Sequence, residues 1–125
     1  MQTHLFFPTP IVQDIIESDL EHYVMNLSRS DKGVKLSNRG GYQSKHFQKP
    51  EKEFQDLWEQ IELKLNEFHK DVAKLKGNVQ INEWWFNVNH KGCMNRQHQH
   101  PDSLHSGVYY INCLLYTSPS PRDTN

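Results

Sequence analysis

Residues 79–89 read VQINEWWFNVN, and this stretch sets the expected architecture because its side chains fall into two alternating sets. Successive side chains of an extended chain point to opposite faces, so an alternation with period two predicts a β-strand. One face would carry Val79, Ile81, Glu83, Trp85, Asn87 and Asn89, and the other Gln80, Asn82, Trp84, Phe86 and Val88. We expect both tryptophans to lie in the core.

Two shorter strands are expected after this one. Residues 94–100 and residues 107–112 (GVYYIN) have strand-like composition, and each follows a turn, the first at residues 90–92 and the second at residues 101–103. The chain therefore predicts a run of three strands in its second half.

Helices are expected in the first half of the chain. Apolar side chains recur at three- and four-residue steps over residues 14–27 and again from Pro50 onward, where Gly77 marks the end of the pattern. Residues 28–49 are polar and glycine-containing, and we expect a loop there with a short strand near residues 41–47. Two helices followed by strands predict an α+β domain in which the helices support a β-sheet or half-barrel.

The composition narrows the class of protein. The chain has 125 residues, of which 35% are hydrophobic and 23% charged, as in one soluble globular domain or a piece of one. A formal net charge of −1 gives no basic field for nucleic acid, and no apolar run is long enough to span a bilayer. We expect a cytoplasmic protein without nucleic-acid or membrane partners. Cys93 and Cys113 match no zinc or redox motif.

The last residues differ in character from the rest of the chain. CLLYTSPSPRDTN, residues 113–125, is rich in serine and proline, which is typical of a disordered terminus. Residues 113–123 also resemble an in-frame translation of a widely used transposase sequencing adapter. That resemblance implies a non-native tail at residues 113–125, with residues 1–112 forming the amino-terminal part of a single domain whose remainder is missing.

Two histidines, His98 and His100, are candidate metal ligands. On a strand both imidazoles would point to one side, and imidazole binds Fe, Zn, Cu and Ni. The alternative is a solvated pair on a polar turn. Asp102 would add a carboxylate, but Pro101 interrupts the strand geometry that would align it with His100. Iron triads and zinc sites need at least three protein ligands, so we expect the third ligand beyond residue 112.

A family resemblance extends over most of residues 1–112. WWFNVNHKGCMNRQHQHPDSLHSGVYYIN, residues 84–112, resembles the core of the 2-oxoglutarate/Fe(II)-dependent oxygenases of phages and marine bacteria, a branch related to the prolyl hydroxylases. FPTPIV at residues 7–12 and GGYQS at residues 40–44 resemble that family's opening. The resemblance implies part of a double-stranded β-helix, or jelly roll, with two supporting amino-terminal helices.

The resemblance also implies roles for particular residues and two cofactors, Fe(II) and the cosubstrate 2-oxoglutarate. His98 would be the first iron ligand, and His100 stands where most oxygenases of this superfamily have an aspartate, which makes the site one unit more positive. Tyr110 matches the position that helps to hold the far carboxylate of 2-oxoglutarate. Asn87 and Asn89 would contact the cosubstrate or the substrate, with an ordinary sheet-edge hydrogen bond as the alternative for each.

The implied function is a hydroxylase-type dioxygenase that couples decarboxylation of 2-oxoglutarate to oxidation of a small molecule or a protein side chain. A cupin-type metal protein is one alternative, since Gly92 and the histidine pair fit the opening of the cupin signature. Leu104 or His105, however, stands where that signature has glutamate. The other alternative is a non-catalytic phage accessory or structural domain in which the histidines bind zinc or nothing.

We predict that the 125-residue chain is itself inactive as an oxygenase. Its third iron ligand and the basic residue that pairs with 2-oxoglutarate are expected on strands that follow residue 112, so the cosubstrate would not be held. The measurement is succinate release from 2-oxoglutarate with and without Fe(II), beside an active oxygenase as the positive control. Iron-dependent succinate release by this chain would contradict the prediction.

Overall fold

The computed structural model describes residues 1–112, and the predicted adapter-derived tail lies outside the described residues. The chain divides into two compact units. The first contains residues 1–17 and 50–81, and the second contains residues 18–49 and 82–112. Helices occur together with small antiparallel sheets, which confirms the α+β class. No helix within residues 1–112 is long and apolar enough to cross a membrane.

The second predicted helix is confirmed in the first unit. A 3-10 turn at Lys52–Phe54 leads into an α-helix at Gln55–Glu67, which a π-helical turn at Phe68–Val72 continues. The side chain of Asn66 then holds the returning chain, because its amide nitrogen donates to the Val79 carbonyl at 2.9 Å and its oxygen accepts from the Val79 N–H at 2.8 Å. One polar side chain thus pairs with both backbone groups of a residue after the helix.

The first helix begins later than its apolar pattern predicts. Helix α1 spans Glu21–Ser30 in the second unit, whereas the prediction began at Asp14. The Asp14 carboxylate accepts a hydrogen bond from the adjacent Ile15 N–H at 2.7 Å and pairs with Lys64. Aspartate that bonds its own neighbour competes with helix formation, and Ile15 remains 85% exposed. The expected start of this helix was therefore wrong.

The second unit contains four short strands, numbered in chain order: β1 at Asn38–Arg39, β2 at Tyr42–Gln43, β3 at Asn87–Val88 and β4 at Met94–Asn95. They form two antiparallel pairs, β1 with β4 and β2 with β3. A bridge between Phe47 and Trp84 extends the second pair. The short strand predicted near residues 41–47 is thus confirmed, and its partner lies within residues 79–89.

The predicted strands are longer than the observed ones. The strand over residues 79–89 is reduced to β3 and the bridge at Trp84, the strand over residues 94–100 ends at Asn95, and residues 107–112 form no strand. A strand needs a neighbour to accept and donate its backbone hydrogen bonds. Alternation alone therefore overestimated their length. The turns at residues 90–92 and 101–103 are confirmed by bonds from Cys93 N–H to His90 O and from Ser103 N–H to His100 O.

Three aromatic rings form the centre of the second unit. Phe47 stacks on Trp84 with ring centroids 4.8 Å apart, and Phe86 meets Trp84 edge to face at 4.6 Å. Tyr42, which lies opposite Val88 in the β2–β3 pair, is buried and donates its hydroxyl to Asp31 at 2.7 Å. Burial and this bond raise the pKa of Tyr42. The face that carries Trp84, Phe86 and Val88 is therefore the core face, as expected for Trp84.

We predict that Gly41→Ala destabilises the second unit more than Gly92→Ala does. Both glycines have positive φ, +67° and +86°, so each alanine carries the left-handed penalty of about 1 to 2 kcal/mol. A Cβ at Gly41 would also lie 2.9 Å from the Val88 carbonyl, whereas a Cβ at Gly92 meets nothing within 4 Å. The clash adds about 1 to 3 kcal/mol.

Urea unfolding followed by tryptophan fluorescence measures the two free energies. Equal losses of stability in the two variants would show that the approach of Gly41 to β3 does not constrain the fold.

Candidate functional site

The outward face of residues 83–89 carries the polar side chains. Because Trp84 and Phe86 point into the core, Glu83, Trp85 and Asn87 lie on the opposite face, as strand parity requires. β4 and the segment that follows it lie next to this face: Asn95, in β4, reaches Asn87, and His100, in the segment, contacts Trp85. The structure thus brings predicted site residues from two parts of the chain together.

The two candidate ligands lie side by side without a strand beneath them. The rings of His98 and His100 have centroids 4.8 Å apart and meet at 80°, and both residues are exposed. β4 ends at Asn95, so the expectation that strand geometry aligns the two imidazoles was wrong. A local hydrogen bond and a turn take its place: His98 Nδ1 lies 2.7 Å from the Arg96 carbonyl, and the turn at residues 101–103 follows directly.

The hydrogen bond to the Arg96 carbonyl determines which ring nitrogen of His98 can accept a further hydrogen bond or a metal ion. A carbonyl oxygen can only accept, so Nδ1 must carry the proton and donate it. In the neutral ring Nε2 then holds the lone pair, and metal-bound histidines commonly have their tautomer fixed in this way. Nε2 is therefore the nitrogen of His98 that could accept a hydrogen bond or a metal ion.

A row of side chains that sequence reasoning missed flanks the pair. His46 Nδ1 lies 2.5 Å from Glu83 Oε1, and the His46 ring stacks on Trp85 with centroids 4.3 Å apart and an interplanar angle of 17°. Trp85 in turn lies 5.6 Å from the His100 ring. The alternation in residues 79–89 places Glu83 with Trp85, but nothing in the sequence near His46 indicates its partners. Trp85 therefore lies at the site rather than in the aromatic core.

The two predicted asparagines join an amide cluster around Asn95. Asn89 Nδ2 donates to Asn95 Oδ1 at 3.0 Å, while Asn95 Nδ2 lies 3.5 Å from Asn87 Oδ1 and 3.4 Å from Ser37 Oγ. Asn87 lies in β3 and Asn95 in β4, whereas Asn89 follows β3 and Ser37 precedes β1. The cluster thus joins β4, from which the segment that carries the histidines continues, to the outward face of β3.

Tyr110 and Asp102 are not brought to the histidine pair. Tyr110 is 71% exposed, and within residues 1–112 no hydrogen bond or ring contact joins it to either histidine. Its neighbour Tyr109 shares a hydrogen bond with Ser18 at 2.8 Å. Asp102 has φ of +64° in the turn that follows the pair, and no ion pair joins it to the imidazoles in this part of the chain.

The donor set fits a metal only in part. His98 and His100 supply two imidazoles, but the described residues contain no group of three or more His, Cys, Asp or Glu side chains placed to hold a metal ion. Glu83, the carboxylate on this face, is bonded to His46. Residues 1–112 therefore place two imidazoles side by side and do not contain a complete facial triad.

Comparison of the chain with models of known protein families, with curated proteins and with solved structures finds no match. The functional interpretation therefore depends on the residues themselves.

We predict that Asn95→Ala destabilises the second unit by about 1 kcal/mol, because the hydrogen bonds of the amide cluster are lost. Asn82→Ala is the matched control, since Asn82 is exposed and lies outside the cluster, and its effect should stay within about 0.5 kcal/mol. Urea unfolding gives both values. A loss of stability as small as that of the control would show that the cluster does not hold the segment.

Proposed function

We propose that residues 1–112 carry part of the active site of an iron- and 2-oxoglutarate-dependent dioxygenase of the hydroxylase type, with His98 and His100 as metal ligands. The observation that carries the proposal is that the rings of His98 and His100 have centroids 4.8 Å apart, while Nδ1 of His98 donates to the Arg96 carbonyl. The pattern HxHPxSxxSGVYY at residues 98–110 supports the family.

The fold of such an oxygenase would be a double-stranded β-helix. In a double-stranded β-helix, short antiparallel pairs are extended by later strands of the same chain, and the β1–β4 and β2–β3 pairs would be two of them. The third metal ligand and the basic partner of 2-oxoglutarate would come from strands that follow residue 112. Tyr110, Asn87 and Asn89 would then lie on the cosubstrate side of the site.

The residues of the site would bind the metal ion and orient its ligands. His98 and His100 would be two ligands of Fe(II), which when bound would supply the activation of O₂ that is coupled to decarboxylation of 2-oxoglutarate. The Arg96 carbonyl fixes the tautomer of His98, and the amide cluster holds the segment that carries both ligands near Trp85. No catalytic step is assigned to these residues, because the donor set within residues 1–112 is incomplete.

A second candidate function follows from the missing carboxylate. Two imidazoles suit Zn²⁺, Cu²⁺ or Ni²⁺ as well as Fe²⁺, since histidine is a ligand common to all of them. A metal-binding domain without oxygenase activity would need only the pair and one or two further ligands. For the cupin alternative, the exposed Leu104 occupies a position where a carboxylate ligand is required.

We predict that the 125-residue chain binds Co²⁺, used as an O₂-stable probe for iron, through the histidine pair. Removal of either ligand, by His98→Ala or His100→Ala, should weaken binding at least about tenfold, because a single remaining imidazole holds the ion poorly. His90→Ala is the control, since it removes an exposed imidazole from the preceding turn. Isothermal titration calorimetry measures the four affinities, and equal values would refute the pair as a site.

A protein that continues the natural sequence beyond residue 112 would distinguish the two candidate functions. In the gene continued without interruption beyond residue 112, the oxygenase requires a histidine on a later strand, followed by an arginine or lysine at strand spacing. That protein should release succinate from 2-oxoglutarate only when Fe(II) is present. Tight metal binding without succinate release would instead support the non-catalytic domain.

A further inference from the structure

The two histidines of the pair are held in different ways. His98 is anchored by its hydrogen bond to the Arg96 carbonyl. The His100 ring makes no hydrogen bond within residues 1–112, and its contacts are with two other rings, His98 and Trp85. Metal-binding histidines almost always donate their second nitrogen to a carbonyl, a carboxylate or water, which fixes the ring. Within residues 1–112 the ring contacts are therefore the protein contacts that can orient His100.

Trp85 is the side chain placed to do so. Its ring centroid lies 5.6 Å from that of His100 with an interplanar angle of 34°, within the range of favourable aromatic pairs. The residue is partly exposed on the outward face and takes no part in the packing of Phe47 against Phe86. Its position on this face therefore does not serve the core.

Trp85 is itself held by His46, a residue that follows β2. The His46 ring stacks on the indole at 4.3 Å and 17°, and Glu83 fixes the direction of that ring through Nδ1. Both partners are partly shielded, with 32% of the His46 side chain and 39% of the Glu83 side chain exposed. A stacked ring whose edge is hydrogen-bonded has little freedom to rotate, so the indole is confined as well.

We infer that Trp85 is a positioning residue for His100, and that the His46–Glu83 pair holds Trp85 in place. The row Glu83, His46, Trp85, His100 takes the role that the Arg96 carbonyl has for His98. The inference rests on the proposed metal binding and extends it, because it makes the metal affinity of the pair depend on an aromatic contact. Loss of that contact should weaken metal binding about three- to tenfold while both ligands remain.

The test uses the full 125-residue chain and Co²⁺ as the probe. Trp85→Leu removes the ring, Trp85→Phe keeps one, and Trp58→Leu is the matched control in the other unit. We expect Trp85→Leu to weaken Co²⁺ binding about three- to tenfold and to change the visible absorption of the bound Co²⁺, which reports ligand geometry. Trp85→Phe should restore most of the affinity, and Trp58→Leu should leave both readouts unchanged. Wild-type affinity in Trp85→Leu, or equal losses in Trp85→Leu and Trp85→Phe, would overturn the inference.

A second readout needs no metal. In the metal-free chain, the ring protons of His100 should show an aromatic ring-current shift in NMR spectra that decreases in Trp85→Leu, where the contribution of the His98 ring remains, and decreases less in His46→Leu. If the wild-type chain bound no Co²⁺, the proposed function would fail, and the NMR shift would still decide the positioning role. A His100 signal that is the same in Trp85→Leu and the wild type would refute it.

Discussion

The second unit depends on the packing of Phe47 against Trp84, with Phe86 closing the cluster edge to face. The backbones of the same residues are paired: Phe47 and Trp84 exchange N–H···O bonds of 2.8 and 3.0 Å, and Ser44 bonds both backbone groups of Phe86. Burial of aromatic surface and satisfaction of backbone polar groups thus occur at one place. This contact fixes the register between two segments that are far apart in the sequence.

That register decides the composition of the opposite face. A shift by one residue would exchange the two faces of the strand and bring Glu83 and Trp85 into the core in place of Trp84 and Phe86. In the observed register the polar set lies outward, next to the segment that follows β4. The candidate site is therefore a consequence of core packing: the aromatic cluster fixes where Glu83, Trp85 and the amide cluster lie, without contacting the candidate ligands His98 and His100.

The two histidines illustrate local and long-range control of ligand geometry. His98 is oriented by a carbonyl two residues before it, so its contact is local in the sequence. His100 is oriented by Trp85, which depends on His46 from a distant segment. A metal bound at this pair would respond to the bridge between Phe47 and Trp84, because that pairing brings His46 to the indole. Metal binding and the fold of this unit would then be energetically coupled.

The sequence by itself determined the α+β class, the second helix, the turns around residues 90–92 and 101–103, and the two faces of residues 83–89. Each follows from a local period or from a turn residue, which the chain carries wherever it lies. It predicted His98 and His100 as a pair, although the strand expected to align them ends at Asn95. Only the tertiary structure decided the start of α1, the lengths of the strands and the contacts of His46 with Glu83 and Trp85. A helix start depends on which groups the first side chains bond, a strand ends where its neighbour ends, and a stacked ring needs a partner that the pairing of distant segments supplies.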